Sequence, residues 1–203
     1  MLLIKSKYKI AKRLGASVFE KTQSQKFALS DARSKKTKKS RRSGSDYGRQ
    51  LLEKQKLRYT YGLSEKQLSK YAHDAFTTAD PSTSLHKALE MRADSTVYNA
   101  GLASTRRAAR QMVSHGHITI NGHRTTVPSH QVRMGDAIGV REGSRASVLF
   151  ASLSDTESDA RRATPKWLSF DVSLLKAEVV GEAEYRQIEG GLDYATVFEF
   201  YSR

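Results

Sequence analysis

Four histidines, His115, His117, His123 and His130, fall within sixteen residues of one another. A cluster of imidazoles makes metal binding the first chemistry to consider. The spacing argues against it: no two histidines are four apart, and no carboxylate lies inside the cluster. The chain has no Cys, which removes thiolate zinc sites, thiolate nucleophiles and disulfides together. Ser114-His115 has no orienting acid nearby and there is no Gly-x-Ser-x-Gly elbow, so nucleophilic catalysis has no framework. Gly135, Gly139 and Gly143 recur every four residues in a strand-rich stretch, which is not the strand–turn–helix context of a phosphate-cradling loop. The reading is of no catalytic residue, no metal and no cofactor, with the histidines as polar loop positions.

What remains is cationic chemistry. The 203 residues carry 35 Lys and Arg against 21 Asp and Glu, a formal net charge of +14. Residues 1–58 hold 18 of the basic and only 4 of the acidic side chains, while 151–203 are net acidic. A field of that sign draws in a polyanion. The basic run through Lys35, Lys36, Lys38, Lys39, Arg41 and Arg42 has almost nothing apolar to bury and reads as an arm that orders on phosphate. Tyr47, Arg49, Lys54, Lys56, Arg58 and Tyr61 set aromatic planes beside cations, as stacking on unpaired bases and neutralising phosphate require. A membrane surface fits less well, because the single Trp lies at 167 in the acidic third. The expectation is a cytoplasmic RNA binder without a membrane partner: no 18-residue apolar run exists, and Met1-Leu-Leu-Ile4 runs straight into Lys5, Lys7 and Lys9.

Those side chains need elements to hold them. Ile10, Leu14 and Val18 recur every four residues, which suits one or two amphipathic helical turns. A helix over Tyr47–Tyr61 is expected behind Asp46 as N-cap, with Leu51 and Leu52 on its core side. Ser64-Glu-Lys-Gln67 is a capping box that opens a helix to about Phe76, with Leu68, Tyr71 and Ala75 facing the core. Thr77 to Ser84 reads as a loop, and Leu85–Met91 as a short helix burying Leu85, Leu89 and Met91.

The clearest element is a helix from Arg106 to Ser114, capped by Ser104 or Thr105 and stopped by Gly116. On its wheel, Arg106, Arg107, Arg110, Gln111 and Ser114 occupy one face, and Ala108, Ala109, Met112 and Val113 the other. The polar face, together with His115, His117, Asn121 and Arg124, is the expected second RNA surface. Ile118 and Ile120 precede Asn121-Gly122, the strongest short hairpin signal, and Ala137–Val140 suggests a further strand. Ser152 to Ala163 is linker-like. Trp167, Leu168, Phe170, Leu174, Val179 and a last strand, Val197–Tyr201, are expected to pack back on the amino-terminal helices. The fold expected is α+β, with a small helix-plus-sheet module inserted in a discontinuous helical domain: residues 1–90, 91–150 and 151–203.

Two long stretches carry a resemblance. The segment Ser43–Tyr71, containing Tyr47-Gly-Arg-Gln-Leu-Leu-Glu-Lys-Gln-Lys-Leu-Arg58, resembles the signature of the bacterial small ribosomal subunit protein four family. So does Met91–Gly122, containing Arg92-Ala-Asp94 and Ser104-Thr-Arg-Arg-Ala-Ala-Arg-Gln-Met-Val-Ser-His-Gly-His117. Pro128-Ser-His-Gln-Val132, Lys166-Trp-Leu168 and Glu199-Phe-Tyr-Ser202 are similar as well. The resemblance implies a mostly helical first domain completed by the carboxyl-terminal segment, with an inserted alpha-L RNA-binding module. It implies a primary rRNA-binding protein that takes a multi-helix junction of small-subunit rRNA, nucleates assembly of the subunit body and contributes to accuracy. Its implied partners are neighbouring ribosomal proteins near the channel by which mRNA enters, with mRNA as a further contact. Lacking Cys, the chain resembles the metal-free type, and residues 24–43 lack the family's usual Pro-Gly turn. The alpha-L module also occurs in pseudouridine synthases, whose acidic motif Arg92-Ala-Asp94 faintly echoes, and in free-standing RNA-binding factors. Asp94 reads better as a cap for the next helix.

Overall fold

The computed structural model describes residues 4–36, 45–147, 150, 163–171, 173–185 and 191–202. The chain divides into two units, residues 1–85 with 186–203 and residues 86–185. A carboxyl-terminal helix therefore completes the first unit and the second is inserted in it, in an α+β arrangement.

The first unit is helical. Helix α1 (Lys7–Leu14) ends where Gly15 adopts φ 115°, and two 3-10 turns, Ala16–Val18 and Glu20–Thr22, follow. Ala11, Leu14, Val18, Phe19 and Phe27 form its small core, with Tyr8 stacked on Phe27 at 5.5 Å. Helix α2 (Gln25–Lys36) takes in Lys35 and Lys36, the first two residues of the basic run expected to be an arm that orders on phosphate. Lys12 Nζ donates to the Ser30 carbonyl at 3.1 Å, tying α1 to α2.

Helix α3 (Asp46–Thr60) is capped by Ser45, whose hydroxyl accepts from the Gly48 amide, so Asp46 is the first helical residue and not the cap. Helix α4 (Glu65–Phe76) opens on the full capping box of Ser64 and Gln67 and buries Leu68, Ala72 and Ala75, with Tyr71 half-buried. Helix α5 (Pro81–Glu90) starts four residues before its expected beginning. Asp80 accepts from the Thr83 amide at 3.2 Å and Pro81 takes the first helical position, which its fixed φ suits.

The expected final strand is a helix, α9 (Tyr194–Tyr201), numbered after the elements of the second unit. Asp193 accepts from the Thr196 amide at 3.2 Å and caps it. Tyr194, Val197 and Phe198 are buried and Tyr201 half-buried, the i, i+3, i+4, i+7 spacing of one helical face. The β-branched and aromatic run Val197-Phe-Glu-Phe-Tyr201 reads as a strand, but the cap and the partner surface on α3 and α4 select the helix.

The second unit begins with the end of α5 and helix α6 (Ala93–Asn99), then α7 (Arg106–Ser114), capped by Thr105, which accepts from the Ala108 amide at 3.1 Å. Strands β1 (Ile118–Ile120) and β2 (His123–Thr125) form the expected hairpin. Asn121 at φ 51° and Gly122 at φ 81° give the paired positive φ that a type I′ turn demands. Strand β3 (Ala137–Val140) and a short helix α8 (Glu142–Arg145) follow.

Strands β4 (Leu168–Asp171) and β5 (Lys176–Val179) then extend one five-stranded antiparallel sheet in the order β2-β1-β3-β5-β4. They correct the expectation that this apolar stretch packs on the amino-terminal helices: Leu168, Ala177 and Val179, with Trp167 and Phe170, join the core formed by Met112, Val113, Ile118 and Ile138. The open edge of β3, paired to β5 from Ala137 to Gly139, gives these strands a nearer partner than any helix. Leu174 is exposed in the β4–β5 turn and Leu175 fills the interior instead. Of the expected linker, Ser152 to Ala163, residues 152–162 lie outside the described residues.

Candidate nucleic-acid interface

In the second unit, α7 and the β1–β2 hairpin bring together most of the polar residues singled out from the sequence. Arg107, Gln111 and Ser114, at i, i+4 and i+7, form an exposed stripe with no acidic side chain in it. His115 continues it past the helix end. Arg124 reaches back from β2 and donates from Nη2 to the His115 carbonyl at 3.3 Å, a cation at the negative end of the helix. Gly116 makes this approach possible: a Cβ there would sit 2.1 Å from Arg124 Nε, and its φ of 73° suits glycine.

Two other expected contacts are placed differently. His117 is half-buried, and its Nδ1 lies 3.0 Å from the buried Ser144 hydroxyl. Asn121 donates to Asp136 at 2.8 Å and accepts from the Ala137 amide at 2.8 Å, so its side chain fastens the hairpin turn to β3. Burial pushes Asp136 upward, but hydrogen bonds from the Arg133 amide and Asn121 outweigh it and hold this carboxyl below its ordinary value.

Arg106 and Arg110 face inward. Arg106 Nη2 lies 2.9 Å from Glu90, its Nη1 is 3.2 Å from the Ser95 hydroxyl, and its guanidinium sits 4.6 Å from the centre of the Tyr98 ring. Arg110 Nε and Nη2 each approach Asp94 Oδ2 at 2.7 Å. Arg92 holds the same carboxylate with Nε at 2.9 Å and Nη2 at 3.0 Å, and Asn99 donates to Glu90. Asp94 sits inside the first turn of α6, accepting from the Ser95 amide at 3.0 Å, and the N-cap is Arg92. The wheel gave the angular positions of these arginines, but no signal in it showed that two carboxylates already face them.

In the first unit Tyr47 and Arg49 are exposed, Arg49 within 3.4 Å of Asp46. Lys56 pairs with Glu53, and Arg58 donates to the Leu63 carbonyl at 3.3 Å with Glu65 at 3.7 Å. Two expected contacts are interior. Tyr61 is buried with its hydroxyl 3.4 Å from that of Tyr194. Lys54 is only 6% exposed, with Nζ 2.8 Å from Glu65 and 4.0 Å from the centre of the Phe200 ring. On sequence alone both read as outside, because the segment that covers them, helix α9, reads as a strand. Lys35 and Lys36 fall in the last turn of α2, and Lys38, Lys39, Arg41 and Arg42 lie outside the described residues.

Burial pushes Glu65 upward, yet hydrogen bonds from Lys54 and Tyr201 and the charges of Lys54 and Arg58 outweigh it and lower the carboxyl. A depressed carboxyl contributes stability above its unfolded value and loses it as pH falls through the folded one. The destabilisation caused by Glu65→Gln should therefore shrink between about pH 6 and about pH 3 in thermal melts. A difference that does not change with pH would mean Glu65 acts only as a neutral acceptor.

Among the described residues no group of three or more His, Asp or Glu is arranged to hold a metal, and no helix is long and apolar enough to cross a membrane. Within the second unit lies an RNA-binding module of the S4 class: residues 91–138 match the family model described as the S4 domain. Residues 3–91 match the ribosomal protein S4/S9 N-terminal domain. The small ribosomal subunit protein uS4 of Roseiflexus sp. (strain RS-1) is 45% identical over 164 residues, 80% of each chain. That of Corynebacterium kroppenstedtii is 45% identical over 160 residues, covering 78% of this chain and 79% of its own, and that of Pediococcus pentosaceus is 39% identical over 165, 80% of each. The chain belongs to the small ribosomal subunit protein uS4 family. Its members are structural proteins and not enzymes, so the synthase alternative falls away.

Proposed function

We propose that this chain binds small-subunit rRNA in the cytoplasm as a structural constituent of the small ribosomal subunit. One observation carries the reading: the exposed, acid-free stripe Arg107–Gln111–Ser114 continues through His115 to Arg124, on a module matching the S4 domain. Side chains of this kind contact phosphate and sugar and recognise folded RNA by shape. In the first unit Tyr47 and Arg49 are exposed for the same partner, and the basic run Lys35–Arg42 adds positive charge that favours a polyanion. Family membership supports the finer reading of a multi-helix junction bound early in assembly, with an influence on accuracy. It also supports neighbours among the proteins near the channel by which mRNA enters, and contact with mRNA itself.

The test is binding of the full chain to in vitro-transcribed small-subunit rRNA, with tRNA as competitor, across a salt titration. Arg107→Ala and Arg124→Ala should each lower the magnitude of the log–log salt slope by about 0.7–0.9, one phosphate contact apiece. Equal affinity for tRNA, or slopes unchanged in both variants, would exclude this surface.

A further inference from the structure

We propose that Arg106 and Arg110 are positioning residues: with Glu90, Arg92 and Asp94 they form a buried ionic latch that fixes α7 at the angle where Arg107, Gln111 and Ser114 meet RNA, and they do not themselves contact phosphate. The inference rests on the RNA-binding reading of that stripe and says which of the three α7 arginines makes the contact.

The geometry argues for it at each end of the helix. The contacts bridge sixteen residues of sequence, from the end of α5 and the first turn of α6 to α7. Asp94 receives forks from two arginines, one the N-cap of its own helix and one on α7, and its side chain is only 5% exposed. The Arg106 and Arg110 side chains are 20% and 14% exposed, and Arg49, by contrast, is 67% exposed. Reaching a phosphate would require Arg110 to leave a charge-assisted contact at 2.7 Å. It would also bring RNA oxygens toward the carboxylates of Asp94 and Glu90, where like charges repel.

A buried ion pair often adds little net stability, and in some proteins what it secures is a unique geometry. Here that geometry is the rotation of α7 about its axis. Arg106 and Arg110 lie at i and i+4, with Arg107 and Gln111 one residue further on, so holding the first pair inward turns the second pair outward. The stacking of Arg106 on Tyr98 adds a second constraint at the amino-terminal end.

Arg110→Met leaves Asp94 paired with Arg92, whereas Arg106→Met leaves Glu90 its hydrogen bond from Asn99 but removes its paired guanidinium, so Arg110→Met is the cleaner of the two. Both full-length variants should bind in vitro-transcribed small-subunit rRNA about tenfold more weakly, the scale for a residue acting through its neighbours. Their salt slopes should match the unmodified protein, while Arg107→Ala loses about 0.7–0.9 of slope. Arg110→Lys keeps the charge but not the two-pronged grip, so it should also weaken binding at an unchanged slope. It serves as the second variant if a Met replacement fails to fold. Without RNA, the amides of α7 should exchange faster in both Met variants, and those of α3 should not. A slope lowered in Arg110→Met as far as in Arg107→Ala would overturn the proposal, and so would full affinity in every variant. Failure of the unmodified protein to prefer rRNA over tRNA would instead sink the RNA reading, while the exchange measurement still tests the latch.

Discussion

Replacing Asp94 with alanine should lower the folding free energy of the inserted unit by about 3–5 kcal/mol, the range for removing one partner from a buried ion pair. The loss is large because two guanidiniums depend on that carboxylate, and the Arg92 side chain is only 3% exposed. Without Asp94 both charges would have to remain in the interior with fewer acceptors or force the α6–α7 contact open. Domains are stable by roughly 5–15 kcal/mol, so the change removes a large part of the total. Trp167, the chain's one tryptophan, packs against the core of this same unit and reports its unfolding by fluorescence in urea. Glu142→Ala, at an exposed position on α8, should stay within about 0.5 kcal/mol as the control. A loss at Asp94 no larger than the control would show that water reaches these arginines and that the network has no interior character.

The sequence revealed most where a few neighbouring residues decide the backbone. Ser64 and Gln67 specify the start of α4 between themselves, and Asn121-Gly122 specifies a turn with two positive φ values. Thr105 and Gly116 bracket α7, and its apolar face is periodic enough to orient it. What stayed hidden depends on partners far along the chain. Lys54 looks like an exposed cation until Phe200, 146 positions later, lies on it. Gln50 is likewise buried, and its amide donates to Glu199, 149 positions later, at 3.0 Å. Strands β4 and β5 contain the apolar residues expected of a buried segment, but only the open edge of β3 determines which unit they join.

The candidate site shows the same division. The helical wheel separated polar from apolar residues on α7 correctly, because that separation follows from the 3.6-residue period alone. It treated the polar face as one surface. Arg107 lies outside and Arg106 and Arg110 inside because Glu90 and Asp94 approach only the latter two. Charge type is written in the sequence, whereas charge pairing is a property of the tertiary contact. Net charge could therefore indicate a polyanion as partner without showing which cations are available to it.

Phe198→Ala should destabilise the first unit by about 3–5 kcal/mol, the range for emptying a buried aromatic site. Phe198 is 7% exposed and meets Phe76 edge-on with ring centres 4.7 Å apart, so its loss opens a gap between α9 and α4. The choice of residue also separates the two possible backbones of this segment. In a strand, Val197, Glu199 and Tyr201 would share one face and Phe198 would sit with Phe200 on the other. In the helix, Phe198 shares its face with Tyr194, Val197 and Tyr201, while Ala195 and Glu199 lie outside. Urea unfolding followed by far-UV circular dichroism, where the helices of this unit dominate, measures the effect. Ala195→Ser should change it by less than about 0.5 kcal/mol. A loss below about 1 kcal/mol at Phe198 would be too small for a buried phenyl ring and would count against the docked helix. Burial of Lys54 beneath Phe200 would then fail with it, returning that lysine to the surface where the sequence alone had placed it.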